Sequence, residues 1–363
     1  MASIWNKGIS ISIFGESHGT AIGVVIDNVP AGILIDMENI ISFMSRRAPS
    51  LKKYGSTKRN ESDMPEVLSG ILNGKTTGTP ICAIIYNQNQ RSNDYDDVKN
   101  LIRPGHADFT GNVRYNGFND IRGGGHFSGR LTAPLTFAGA VCAQVLKVKN
   151  INTFAHISSI GNKNDDLFNN IDIDFKSLEK IVSKPLPVLN DIVIEQMEKE
   201  IKSAHDDCDS VGGTIECMVV GVPAGIGSPM FDGIENDISS LAFGVPAVRG
   251  IEFGAGFKAA TMRGSLHNDD FYMSDLKVRT KTNNHGGVLG GITSGMPIVF
   301  RVAIKPTPSI GKMQNTVNLK DMIDDKIEIK GRHDACIVPR AVPVIESVAN
   351  IAILSQLISQ GKF

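Results

Sequence analysis

GTAIGVVIDNVPAGI, residues 19–33, has a gapless echo in GGTIECMVVGVPAGI, residues 212–226. Roughly half the positions agree, including all of V-P-A-G-I. Each copy is an apolar run closed by Pro and Gly, the residues that preset or permit the dihedrals of a turn. Two copies are too few for a solenoid. They predict a strand–turn unit in each half of the chain and therefore a pseudo-symmetric α+β body. Chance similarity between two strand–turn segments is the competing reading.

Outward from these segments, apolar periodicity predicts strands over residues 9–14, 22–26, 81–86, 211–220 and 298–304. Asp36 is placed to cap a helix reaching Arg47, with Met37, Ile40, Ile41 and Met44 on one face. Further helices are predicted over residues 130–149, 191–204, 232–243 and 342–359. Residues 161–191, rich in Asn, Asp, Lys and Pro, read as a surface excursion with one short helix. No shift in composition marks a linker, so residues 1–363 are expected to form a single domain.

Composition narrows the function. Hydrophobic residues make up 41% and charged residues 21% of the 363, which allows a sizeable core. A net charge of −1 confines any anion-binding role to a local patch. Aromatic content of 6% argues against a stacking platform for single-stranded nucleic acid. The five cysteines are scattered, with no C-x-x-C pair. They read as reduced thiols of a cytoplasmic protein, and no metal site is expected. No apolar run reaches the ~20 residues that a bilayer requires, and the N-terminus lacks a signal-peptide pattern, so no membrane partner is expected.

Five segments carry candidate chemistry. GESHG, residues 15–19, presents His18 beside Ser17 at a strand end, and an imidazole can exchange a proton near neutrality. RRAPSLKKYGSTKR, residues 46–59, holds Arg46, Arg47, Lys52, Lys53, Lys58 and Arg59 and no acid. Such a loop can wrap an anionic small molecule, or remain a solvated basic loop. RPGHADFTGNVRYNGFNDIRGGGHFSGR, residues 103–130, sets His106 in a second loop and runs a triglycine into a predicted helix. A glycine run at a helix start exposes N–H groups to an anion, with Ser128 and Arg130 alongside. NNHGGVLGGI, residues 283–292, leads on to KPTPSI, residues 305–310, a rigid cationic turn with hydroxyls suited to a phosphate tail. Its glycine pairs signal close approach of a flat ligand or tight packing between sheets. GRHDAC, residues 331–336, sets Arg332 near Asp334, as an ion pair or as a cation beside a proton acceptor.

In this order, the segments closely resemble the chorismate synthase family. GESHG with VIDNVPAG (residues 25–32), GGGHFSGRLTA (residues 123–133) and GRHDACIVPRAVPVIES (residues 331–347) look like its three signatures. RRAPS, RPGHADFTG, NNHGGVLGGI and KPTPSI fill the intervals over essentially the whole chain. The resemblance implies a layered β-α-β sandwich, assembled as a homotetramer. It implies a lyase that converts 5-enolpyruvylshikimate 3-phosphate to chorismate and phosphate by 1,4-anti elimination, with reduced FMN. NADPH or an external flavin reductase would supply the reductant.

By the same resemblance, His18 protonates the departing phosphate, His106 serves the reduced flavin as proton donor, and Asp334 assists loss of the C6 proton. Ser17, Arg46, Arg47, Lys53 and Arg130 would bind substrate. His126, Phe127, Ser128, Ala247, Gly290, Lys305, Pro306, Thr307, Pro308, Ser309 and Arg332 would bind FMN. Departures from the family pattern fall at His126-Phe127, where Arg-Ser is common, at Lys53, where Arg is common, and at Pro246, where some members have Asn. The alternatives are another FMN-dependent enzyme with an anionic substrate, and a basic-loop nucleic-acid binder.

Overall fold

The two V-P-A-G-I turns are held by the same hydrogen bonds. Thr76 Oγ1 donates to Pro30 O at 2.6 Å and accepts from Ile33 N. Thr293 Oγ1 donates to Pro223 O at 2.6 Å and accepts from Ile226 N. Gly32 N and Gly225 N donate to the carbonyls of Thr76 and Thr293, whose own N–H groups return to Ile33 and Ile226. The internal echo is thus a real structural repeat.

The structure, a computed structural model, describes residues 3–48, 63–87, 100–329 and 334–363. Its opening half carries β1 (Ile4–Asn6), β2 (Ser10–Gly15), β3 (Ala21–Asp27), α1 (Met37–Ser45), β4 (Glu66–Ser69), β5 (Ile71–Leu72), β6 (Lys75–Thr76), β7 (Ile81–Tyr86), α2 (Asp108–Arg114) and α3 (Thr132–Lys147). Next come β8 (Asn152–Ile160), β9 (Lys163–Asn164), α4 (Phe175–Val182), α5 (Ile194–Asp206), β10 (Gly213–Val220), α6 (Ile234–Gly244), β11 (Val248–Phe253) and α7 (Gly264–His267). The chain ends with β12 (Phe271–Ser274), β13 (Lys277–Thr280), β14 (Val288–Leu289), β15 (Ile292–Thr293), β16 (Ile298–Ile304), β17 (Gln314–Asn318), β18 (Ile323–Ile327) and α8 (Val338–Ser359).

Two five-stranded antiparallel sheets, ordered β1-β2-β3-β7-β4 and β11-β16-β10-β8-β9, enclose α3 and α8. Helix α3 packs on β2, β3 and β7, and α8 packs on β8 and β10, which makes the β-α-β sandwich. The repeat extends beyond the turns: β3–α1–β5–β6–β7 corresponds to β10–α6–β14–β15–β16. A single buried cluster runs from Ile22 and Val24 on one sheet through Phe137 and Ile351 to Ile215 and Phe300 on the other. The helices meet where Gly139 faces Ser347: a Cβ on Gly139 would lie 2.1 Å from that of Ser347, so only glycine lets the backbones approach this closely.

Most predicted elements are present. Residues 81–86 and 298–304 are strands over those same spans. The Asp36 carboxylate accepts from Glu38 N and Asn39 N, the predicted cap. Strand β8 was not predicted, because His156, Ser158 and Ser159 interrupt its apolar pattern. All three are buried and partnered, Ser158 and Ser159 by Thr214 Oγ1 and His156 by Asp165 and Glu216. Helix α8 starts earlier than predicted, with Pro339 in its first turn, where a missing N–H costs nothing. It is long and apolar enough to cross a membrane by composition, but it is buried between the sheets.

Candidate active site

A cavity of about 1020 Å³ opens where the edge of the first sheet meets the loops preceding α3 and α8. It is lined by Arg47, His106, His126, Phe127, Ser128, Arg130, Ala247, Lys305, Thr307, Pro308, Ser309 and Asp334, predicted site residues from five separate stretches of chain. Arg103, Arg249 and Arg340 line it as well. Lys53 and Arg332, with Lys52, Lys58 and Arg59, lie outside the described residues.

The triglycine turn organises one wall. Gly123, Gly124 and Gly125 all have positive φ, and the turn is separated from α3 by the turn Gly129–Leu131. The expectation that the glycines open the long helix is therefore corrected. Their role is contact from behind: a Cβ on Gly123 would lie 2.1 Å from His18 Cε1, and one on Gly124 would lie 3.0 Å from His106 Nε2. The two imidazoles thus flank one turn. His18 is buried, bonded to Ser17 Oγ at 3.1 Å, and Ser17 Oγ donates to Arg122 O. Neither His18 nor Ser17 is among the lining residues; both stand behind Gly123.

His106 is braced by Arg103 of its own loop and by Asp108, the first residue of α2. Its Nδ1 lies 2.6 Å from Asp108 Oδ1, and Arg103 grips the same carboxylate through Nε at 2.7 Å and Nη2 at 2.6 Å. Burial pushes the Asp108 carboxyl up, but the hydrogen bonds from Arg103 and His106 prevail and hold it well below the usual carboxylate range. His126 bridges Gly15 O and Ser3 Oγ, tying the triglycine turn to the first sheet.

A cluster of guanidinium groups forms another wall. Arg47 and Arg130 both pair with the buried Asp63. Arg47 also donates to Thr132 Oγ1 at 3.0 Å, and Arg130 to Asn87 Oδ1 at 3.1 Å. Burial pulls the Arg47 guanidinium down to about 10, against the attraction of Asp63. Asp63 is pushed up by burial but held below its ordinary value by both arginines. Arg340, in the first turn of α8, pairs with Asp334 and donates to Arg47 O.

A third region is cationic and hydroxylic. Lys305 bonds to Gly105 O and lies near enough to Arg249 that burial and this second cation lower its pKa. Thr307 Oγ1 donates to Asp334 O, and Arg103 Nη1 reaches Ser309 Oγ at 3.5 Å. Ala247, on the same wall, has φ +76, an uncommon conformation for a residue with a side chain.

Three predicted site residues sit elsewhere. Arg46 makes a two-pronged bond to the buried Glu346 of α8 at 2.6 and 2.8 Å, where it secures the helix layer. Pro306, whose backbone N lies against Gly212, is not among the lining residues, although Lys305 and Thr307 on either side of it are. Gly290 is in the β14–β15 turn, and the neighbouring Gly286 and Gly287 are packed on Gly254 and Pro297. Gly286, Gly287 and Gly291 are thus tightly packed, whereas a Cβ on Gly290 would meet open space. Asp63, Arg103, Asp108, Arg249 and Arg340 were not singled out. A signal existed for Arg103 and Asp108, which flank His106 in one motif, and for Arg340, within six residues of Asp334.

The flavin implied by the resemblance fits this donor set. The cavity exceeds the roughly 300–1000 Å³ of ordinary ligand sites, leaving room for a ring and a second ligand. Apolar side chains of Trp5, Ile11, Ile13 and Leu135 suit the ring, and Lys305, Arg249, Thr307 and Ser309 suit a phosphate.

Comparison with known proteins agrees with this geometry. A family description named Chorismate synthase matches residues 9–358. A protein of Dehalococcoides mccartyi named chorismate synthase is 44% identical over 361 residues, covering 99% of this chain and 98% of that protein. One of Pyrococcus abyssi, with the same name, is 46% identical over 353 residues, covering 96% of each. A solved structure described as the crystal structure of chorismate synthase superposes with a TM-score of 0.75 at 28% identity, covering 97% of this chain and 92% of that one.

Proposed function

The chain belongs to the chorismate synthase family, and from that premise we propose that it converts 5-enolpyruvylshikimate 3-phosphate to chorismate and inorganic phosphate with reduced FMN. Membership makes it an enzyme of the lyase type, acting on a small molecule in the shikimate route to aromatic compounds. In the proposed reaction the C3–O bond to phosphate and the C6–H bond break and a new double bond forms, so the reaction is redox-neutral overall. Reduced FMN, when bound, lends electron density to an elimination whose C6 hydrogen is not acidic.

The observation that carries the reading is the juxtaposition of His106, Asp334 and three arginines, Arg47, Arg130 and Arg340, around one cavity. The substrate brings a phosphate and two carboxylates, and planar guanidinium groups match such anions through paired hydrogen bonds. Asp63 and Asp334 offset part of the arginine charge and fix the directions of the forks. His106 would hold a proton for the bound flavin and Asp334 would receive one from the substrate, while the assignment of His18 to the leaving phosphate rests on the resemblance alone, since His18 stands behind Gly123 and does not line the cavity. General acid–base help of this kind contributes about 10²–10⁴-fold per group. Lys305, Arg249, Thr307 and Ser309 would hold the FMN phosphate. The reading also has one catalytic domain, a cytoplasmic homotetramer, and reductant from NADPH or an external flavin reductase. The continuous core through both sheets supports the single domain.

The test is anaerobic: purified protein, dithionite-reduced FMN and substrate, with phosphate release followed over time. Many turnovers per FMN are expected. Absence of phosphate release refutes the reading, and consumption of one reductant per turnover points to a different flavin enzyme.

A further inference from the structure

We propose that Asp108, gripped by Arg103, is the positioning residue for His106: it fixes the imidazole as the Nδ1–H tautomer and so presents Nε2 to the cavity. The inference rests on the reading of His106 as a proton donor there. The local geometry leaves little choice of tautomer. Asp108 Oδ1 is 2.6 Å from His106 Nδ1. The other oxygen, Oδ2, accepts from Arg103 Nε at 2.7 Å and from Arg103 N at 3.0 Å, while Arg103 Nη2 shares Oδ1 at 2.6 Å. With its pKa held well below the usual range, Asp108 is a carboxylate and only accepts hydrogen bonds. The hydrogen between Asp108 and His106 therefore belongs to Nδ1. Arg103 Nη2 also lies 3.1 Å from Nδ1, but two donors cannot bond each other, and that guanidinium hydrogen goes to the carboxylate.

The opposite ring nitrogen has different surroundings. His106 Nε2 has no hydrogen-bond partner among the described residues and lies beside the buried Gly124, and the ring that carries it lines the cavity. A doubly protonated ring can give the Nε2 proton to a basic atom in the cavity. It is left as the neutral Nδ1–H form, with its charge lost and its orientation kept. His106 also lines a second cavity of about 800 Å³ with Thr316 and Asp325. An asparagine at position 108 offers both a donor and an acceptor, so it removes the tautomer preference while keeping the shape.

The experiment uses full-length protein labelled with ¹⁵N-histidine, together with the variants Asp108→Asn, Asp108→Glu, His106→Ala and the double variant His106→Ala/Asp108→Asn. Long-range ¹H–¹⁵N spectra at a pH where His106 is neutral are expected to show Nδ1–H in the parent and a mixture in Asp108→Asn. Turnover with reduced FMN is expected to fall at least about tenfold in Asp108→Asn with KM for the substrate little changed, and to recover partly in Asp108→Glu. The double variant should be no slower than His106→Ala, since both act through one ring. An Nε2–H tautomer in the parent overturns the proposal whether or not any variant folds. So does parent-like turnover in folded Asp108→Asn, or a double variant whose losses multiply. Parent-like turnover in His106→Ala would instead remove the proton-donor role on which the proposal rests.

Discussion

Asp63→Asn tests whether the arginine wall depends on one buried carboxylate. Asp63 is 3% exposed, and it pairs with both Arg47, also 3% exposed, and Arg130. Removing its charge leaves two guanidinium groups facing each other, one of them out of water. Breaking a buried ion pair from one side costs about 3–5 kcal/mol. The low pKa of Arg47, about 10 even beside Asp63, indicates how unfavourable burial already is for that cation. At roughly 2 °C per kcal/mol for a chain of this size, the melting midpoint should fall by about 6–10 °C.

The same substitution has a sign in pH and in ligand. Asp63 titrates below its ordinary value in the folded state. Its contribution is therefore complete above the unfolded value of about 3.9 and is lost as pH falls through the folded value. The gap between parent and variant should be constant from about pH 5 to 8 and should close under acid conditions. Added phosphate should restore part of the midpoint in the variant, because an anion can occupy the uncompensated charge. Thermal unfolding followed by circular dichroism, with and without phosphate, provides the readout. A shift under about 1 °C at pH 7, or a gap that widens on acidification, would refute the reasoning.

Other substitutions separate fold from site. His156→Leu strands the buried Asp165 and Glu216 carboxylates, although Arg301 still reaches Glu216 and Glu252; urea unfolding should show a loss of about 3–5 kcal/mol at pH 6. Burial lowers the His156 pKa, but its two acids prevail and raise it, so this contribution is full below 6.5 and declines as pH rises through the raised value; an unchanged gap at strongly alkaline pH would contradict it. Gly124→Ala places a side chain at φ +91 and 3.0 Å from His106 Nε2, so a stability loss of about 1–2 kcal/mol should accompany a larger fall in turnover. Arg249→Ala should weaken FMN binding about tenfold or more and leave riboflavin binding nearly unchanged; equal losses in fluorescence titrations would place Arg249 away from the phosphate.

The parts of the fold that depend on neighbours in sequence were legible. Strand β7 is an unbroken apolar run, β16 is one interrupted only by Arg301, and the Asp36 cap acts within three residues. Strand β8 was hidden because its polar residues are satisfied from other elements, His156 by Glu216 sixty residues away. The site shows the same divide. His106, Asp108 and Arg103 share one motif, a loop and the first residue of α2. Arg46 and Arg47 are adjacent in sequence yet differ in destination, since successive residues at a helix end point about 100° apart. Arg47 turns to Asp63 and the cavity, whereas Arg46 turns to Glu346, 300 residues away. Charge and composition cannot distinguish them; the partners can.

Glycine runs set the same problem in sharper form, and the internal repeat resolves one case. Gly290 and Gly291 have φ of +62 and +82 at the turn between β14 and β15. The corresponding turn of the first half, between β5 and β6, is Asn73-Gly74, with φ of +50 and +72. A two-residue hairpin of this type needs positive φ at both central positions, which Asn-Gly and Gly-Gly supply. The first copy performs this task with no glycine pair, on a hairpin whose residues do not line the cavity. The turn alone therefore accounts for Gly290-Gly291, and ligand contact is not needed to explain it. No such counterpart explains Gly123-Gly124-Gly125, where the atoms crowding the backbone are the rings of His18 and His106 and the carbonyl of Asp120. A glycine run announces close approach, and only the identity of the approaching group separates a tight hairpin from the backing of a candidate site.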